Sequence, residues 1–124
     1  MKYVVDTCGW IEWLTEGKLC SEFYKYLKHP QHLLIPTIVQ YELYKWITKN
    51  RDENLALQII AVTEQSEVIS LDQTHTLLAA DVALSRRLAM ADAIVYATAL
   101  QSNATLVTCD SHFSELPKIL YIKK

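Results

Sequence analysis

The chain has 124 residues, 51% of them hydrophobic, and its fourteen Asp and Glu against twelve Lys and Arg give a formal net charge of -2. That length and balance suit one folded domain, residues 1–124, able to bury about two-thirds of its unfolded surface without a disulfide or structural metal. Gly9 and Gly17 are the only glycines, which excludes the Gly-rich phosphate loops of P-loop and dinucleotide folds, and the near-neutral charge excludes whole-molecule attraction to nucleic acid.

Lys2 to Asp6 is a short β-rich run that ends on a carboxylate. Cys8 to Thr15 reads as helix, with Trp10, Ile11, Trp13 and Leu14 on one face. A second helix spans about Lys18 to Lys28 and stops before Pro30, because the residue preceding proline leaves the α region. His32 to Ile35 is the next strand, closed by Pro36. Thr37 and Gln40 have capping-box spacing, so a helix is expected from there to about Asn50. Asp52 to Gln65 continues as helix, and Val68 to Leu71 forms a third strand. Asp72 then caps a helix that runs through Arg87. Met90 to Ser102 is an Ala-rich helix, with Asn103 at its C-terminal end. Thr105 to Thr108 and Ile119 to Ile122 are the last two strands. Short apolar strands alternating with helices imply a parallel sheet covered on both faces.

The N-terminus lacks a cationic segment followed by an apolar one, and no apolar run reaches the ~18 residues of a membrane helix. Cys8, Cys20 and Cys109 are odd in number and have no CxxC spacing. These features point to a reducing cytoplasm, with the cysteines serving as small buried hydrophobes.

Ligands of open parallel sheets bind beyond the carboxyl ends of the strands. Asp6 ends the first strand there, Asp110 follows the fourth, and Glu42 lies in the second turn of the helix after strand two. Asp92 interrupts the apolar run Leu88 to Val95 near a helix start, where free N–H groups and the helix dipole favour a carboxylate. It either caps that helix or joins the other acids. Glu12, Glu16, Glu22, Asp52, Glu53, Glu64, Glu67 and Glu115 read as solvated, Asp72 as a helix cap, and Asp81 as a surface or partly buried residue. Four gathered carboxylates would raise one another's pKa or bind a cation, and oxygen-only ligands suit Mg²⁺ or Mn²⁺. His29, His32, His75 and His112 lack zinc-site spacing and read as surface or packing residues. Metal-holding carboxylate clusters activate water and stabilise charge on phosphate oxygens.

Charge is polarised along the chain. Lys18 to Arg51 carries a net +4, whereas Asp52 to Ser85 carries -6 with no Lys or Arg at all. The basic segment flanks Glu42, and Arg86-Arg87 precedes Asp92, which fits either a phosphate track or solvated helix faces. Trp10, Trp13, Tyr24, Tyr41, Tyr44 and Trp46 could stack bases, but residues at helical spacing are more often core or interface.

Asp6-Thr7-Cys8 after the first strand, Glu42, the segment Met90 to Ala99 and the segment Leu106 to Phe113 together resemble the PIN domain. Within that family they are similar to VapC-type ribonuclease toxins of toxin–antitoxin pairs, over essentially the whole chain. The resemblance implies a three-layer α/β/α sandwich around a central parallel sheet of about five strands, and a metal-dependent endoribonuclease. It implies Asp6, Glu42, Asp92 and Asp110 as the acidic site, Asp6 and Asp92 as direct metal ligands, Thr108 as the hydroxyl residue beside them and Thr7 as a second. It further implies an RNA substrate, a homodimer, and an inhibitory antitoxin that inserts a basic side chain among the acids. Many relatives carry another acid two positions after the one matched by Asp110; this sequence has His112 there. The alternatives are an RNA-processing nuclease outside a toxin pair, a silent binding module, or a receiver-like signalling domain. A receiver needs adjacent acids after strand one, and Asp6 is followed by Thr7.

Overall fold

The computed structural model describes all 124 residues. In chain order the elements are β1 (Tyr3–Val5), α1 (Thr7–Leu14), α2 (Cys20–Leu27), a 3-10 turn (Pro30–His32), β2 (Leu34–Pro36), α3 (Thr37–Asn50), α4 (Glu53–Thr63), β3 (Glu67–Ile69), α5 (Gln73–Arg86), α6 (Met90–Gln101), β4 (Thr105–Thr108), a second 3-10 turn (Ser111–Phe113) and β5 (Ile119–Tyr121). Every predicted helix and strand is present, displaced by a few residues at its ends. No helix is long and apolar enough to cross a membrane.

All strand pairings are parallel. The sheet of about five strands is, however, interrupted: β1, β4 and β5 form one ladder in the order β1-β4-β5, β2 and β3 form another, and only the bridge between Tyr3 and Leu33 joins them. Successive strand residues point to opposite faces. Val4 and Val5 of β1, and Leu106, Val107 and Thr108 of β4, are all essentially inaccessible, so both faces of these central strands are covered. This is the three-layer α/β/α arrangement. The outer strands β3 and β5 are only partly buried.

Two local features fix the helices around the site. Asp6 is the N-cap of α1, and its side chain accepts from the Thr7 N–H. Gly9, in the next turn, lies so close to its neighbours that a Cβ would stand 2.5 Å from the Phe23 ring and 2.7 Å from Val5 Cγ1. The absent side chain lets α1 settle onto α2 and the end of β1.

The expected capping box at Thr37 and Gln40 does not form. Pro36 is the N-cap of α3 without a side-chain bond, because Thr37 is already inside the helix. The Gln40 amide instead donates to Thr63 Oγ1 at 3.0 Å and Glu64 Oε1 at 3.1 Å, tying α3 to α4. Asp72 does cap α5, accepting from the His75 N–H, and Asn103 has a left-handed backbone after α6. Glu12 is not solvated as expected. It is largely covered, accepts from the Leu19 N–H at 3.2 Å, and lies within 3.6 Å of Lys124 Nζ, so it secures the turn from α1 to α2.

Candidate active site

Parallel strands deliver their carboxyl ends to one edge, and there the four acids meet. Asp6 is the most enclosed, 6% exposed. Its Oδ1 accepts from the Thr7 N–H at 2.9 Å and its Oδ2 from the Thr108 hydroxyl at 2.9 Å. Thr108 ends β4 fully buried, and its Oγ1 in turn accepts from the Asp110 N–H at 2.9 Å. One hydroxyl therefore links the ends of the two central strands.

Glu42 is half-buried on α3, and its Oε1 accepts from the Thr7 hydroxyl at 2.6 Å. Asp92 lies in the first turn of α6, but the N-cap there is Ala89 and no side chain caps the helix. The capping explanation for Asp92 therefore does not hold; the dipole favours its charge without a direct bond. Asp110 caps the second 3-10 turn by accepting from the His112 N–H at 2.9 Å. That turn folds His112 back, so its Nδ1 lies 3.1 Å from Asp110 Oδ1 and 3.6 Å from Asp92 Oδ2. Asp92, Asp110 and His112 each offer one ligand atom, all within 4.8 Å of one another.

The electrostatics bind these groups into one cluster. Burial, opposed by the Thr108 and Thr7 hydrogen bonds and reinforced by the charges of Asp92 and Glu42, raises the Asp6 carboxyl from 3.8 to about 6. Asp92 is raised too, first by burial and then by Asp110 and Glu42, with His112 pulling the other way. Carboxylates buried or partly buried beside other acids, as Asp6 and Asp92 are, are relieved by a cation. The donor set is carboxylate oxygen with a single imidazole at the margin, which fits Mg²⁺ or Mn²⁺ rather than zinc.

Two residues of the site were not singled out for it by spacing alone. His112 reads as a surface residue in sequence, yet the tight turn after β4 aims it at the acids; its place two residues after Asp110 was the signal. Cys8 reads as a buried hydrophobe, yet its Sγ lies 3.7 Å from Asp6 Oδ2 and 3.5 Å from Thr108 Oγ1, and accepts from the Cys109 N–H at 3.3 Å. Burial, with the Asp6 charge beside it, pushes this thiol far above its ordinary pKa, so it is a neutral packing group beneath the acids.

The fold has counterparts among known proteins. Among solved structures, the fold matches a toxin–antitoxin complex from Klebsiella pneumoniae with TM-score 0.83 and 21% identity, covering 99% of this chain and 100% of that one. It matches VapC20 of Mycobacterium tuberculosis, a Sarcin-Ricin loop cleaving toxin, with TM-score 0.78 and 14% identity, covering 99% and 100%. It also matches DNA-bound VapBC from Salmonella typhimurium with TM-score 0.75 and 18% identity, covering 99% and 98%. No curated protein matches the sequence at a significant level. A model of the PIN domain matches residues 3–119. The chain belongs to the PIN domain family.

Proposed function

We propose that the chain is a Mg²⁺- or Mn²⁺-dependent endoribonuclease, the toxin of a toxin–antitoxin pair, acting as a homodimer restrained by a cognate antitoxin. The observation that carries the reading is the convergence of Asp6, Glu42, Asp92 and Asp110 at the carboxyl edge of the sheet, with pKa values raised at Asp6 and Asp92. The toxin part is supported by the likeness to toxin–antitoxin structures over nearly the full length of each chain.

Asp6 and Asp92 would hold the ion, with Glu42 and Asp110 beside them. When bound, such an ion supplies charge stabilisation on phosphate oxygens and lowers the pKa of attacking water. The chain's own residues prepare for this. Thr108 donates to Asp6 Oδ2 and so fixes the carboxylate's plane. Thr7 donates to Glu42 and holds that longer side chain toward the cluster. Asp110 is fixed beside the site by the backbone of the turn it caps. His112, largely exposed, lies beside Asp92 and Asp110 at the margin of the site.

The test is cleavage of RNA in Mg²⁺ or Mn²⁺ by the wild-type chain and by Asp6→Asn. Wild-type cleavage that Asp6→Asn reduces at least a hundredfold is expected; equal cleavage by both overturns the assignment. Membership of the PIN family sets the receiver alternative aside. A short neighbouring reading frame encoding a DNA-binding protein would favour the toxin over an RNA-processing nuclease.

A further inference from the structure

A groove of about 440 Å³ opens between α1 and α3 directly beside the acidic cluster. Thr7 and Glu42 form its inner end, and Tyr41, Lys45, Trp46 and Lys49 line its course. On α3 the positions of Glu42, Lys45, Trp46 and Lys49 share one helix face and extend about 10 Å from the acids. Lys45 and Lys49 are exposed, and neither is among the residues in salt bridges. Tyr41 is 58% exposed, and Lys45 Nζ sits 5.7 Å from its ring centroid.

We propose that this groove is a subsite for single-stranded RNA, seating nucleotides next to the scissile phosphate. Lys45 and Lys49 take backbone phosphates, and Tyr41 stacks on a base. The proposal rests on the ribonuclease reading and states how that site holds its substrate.

Three observations carry it. The groove begins at Glu42 and Thr7, two residues of the acidic cluster, so a strand lying in it runs directly to the acids. Its two unpaired ammonium groups lie one helical turn apart, in line with the acids, where a phosphate backbone leaving a metal-bearing site would next need charge neutralised. Its exposed aromatic ring already has a cation over it, and a nucleotide offers both an anion for the cation and a π-face for the ring. A base free to stack on a side chain is unpaired, which selects single strands over duplex. Ile11, Tyr41 and Trp46 give the groove an apolar side, but Glu42, Lys45 and Lys49 share it, and the apolar face of a partner helix would leave those charges without counterparts.

The experiment compares wild type, Lys45→Gln/Lys49→Gln, Tyr41→Ala, Tyr41→Phe and, as a charge control, Lys18→Gln on the basic segment outside this groove. Each is assayed for cleavage of a mixed-sequence RNA in Mn²⁺. Each is also assayed, in chelator, for binding a fluorescently labelled single-stranded oligoribonucleotide and the same sequence as duplex. The lysine pair should raise KM with little change in kcat, and make the log–log salt dependence of single-strand binding shallower by about 1.4, from two phosphate contacts at ~0.7 each. Tyr41→Ala should weaken single-strand binding roughly five- to hundredfold with no effect on the duplex, and Tyr41→Phe should restore it. Lys18→Gln should match wild type. If wild type cleaves but both groove variants keep its KM and salt dependence, the inference falls, the ribonuclease reading stands, and the groove is left to a protein partner. If wild type does not cleave but binds single strands through these residues, the ribonuclease reading falls, and of the inference only the single-strand RNA site in the groove stands. If it neither cleaves nor binds, both fall.

Discussion

In the metal-free chain Asp6 favours its protonated form, because burial lifts its carboxyl from 3.8 to about 6. The folded chain then binds more protons than the unfolded one between those values, so stability falls as pH rises from about 4 to about 6 and levels off above. The loss amounts to about 3 kcal/mol. Asp6→Asn removes that penalty and keeps an acceptor for the Thr7 N–H, but sets an amide against the Thr108 hydroxyl, a cost of about 1 kcal/mol. In chelator the variant should be more stable than wild type by about 2 kcal/mol at pH 7.5, and the advantage should vanish near pH 4. Urea midpoints at the two pH values measure it; a variant less stable at both would make Asp6 a structural residue. Thr108 acts through Asp6 and Asp110 rather than on substrate, since its hydroxyl donates to one and accepts from the other. Without that donor the Asp6 carboxyl rises further. Thr108→Val should therefore move the acid limb of the pH–cleavage profile upward, while Thr108→Ser leaves it in place; unshifted limbs in both would remove Thr108 from the site.

At the scale of elements, α1 shows packing overruling propensity. Glycine inside a helix costs about 1 kcal/mol relative to alanine. At Gly9, though, a methyl group would drive into the Phe23 ring and Val5, both wholly buried. Overpacking of that kind costs about 1–3 kcal/mol. Gly9→Ala should thus destabilise by about 1 kcal/mol and lower Tm by several degrees, against the sign that propensity alone gives. Because α1 carries the Asp6 cap and Thr7, cleavage should fall along with Tm. Thermal melting with and without metal checks this; an unchanged or higher Tm would show that α1 can shift freely. Gly9 also shows what a single sequence withholds. Hydrophobic periodicity placed α1, and the punctuation by His29-Pro30, Asp72 and Asn103 placed its successors, because those signals act within one turn. The distances to Phe23 and Val5, the Gln40 bonds to Thr63 and Glu64, and the covered carboxylate of Glu12 depend on how elements pack, which no local pattern carries. Asp6, Glu42 and Asp110 were legible for a different reason: a parallel sheet sends every strand end to the same edge, and each of the three follows a strand, whereas Asp92 follows none and was assigned to the site only by the resemblance to the PIN domain. His112 was legible only in part: its place two residues after Asp110 marked the position, but only the turn after β4 brings its exposed ring against the acids.

Across the whole molecule, the basic stretch around α3 and the acidic stretch from α4 to α5 divide the surface by charge, and an apolar area lies within the acidic part. Leu77 and Leu84, two turns apart on α5, are 59% and 84% exposed, and Met90 at the start of α6 is 74% exposed. Nearby, Ala79, Ala83, Ile94 and Met90 wall an apolar hollow of about 390 Å³. A monomer rarely leaves several large apolar side chains of two neighbouring helices in water, and such exposure marks an association face. In the proposed homodimer it is the face that a second copy would cover, leaving the groove beside Glu42 open on α3. Wild type should then elute at twice its 14.2 kDa chain mass in size exclusion with light scattering. Leu77→Glu with Leu84→Glu should elute as the monomer and keep its circular dichroism spectrum, because both side chains are already in solvent and their loss removes no core contact. Like charges facing each other across the two-fold would add to the apolar loss. A wild type that stays monomeric at every concentration would remove the homodimer from the proposal and leave the acid cluster's assignment untouched.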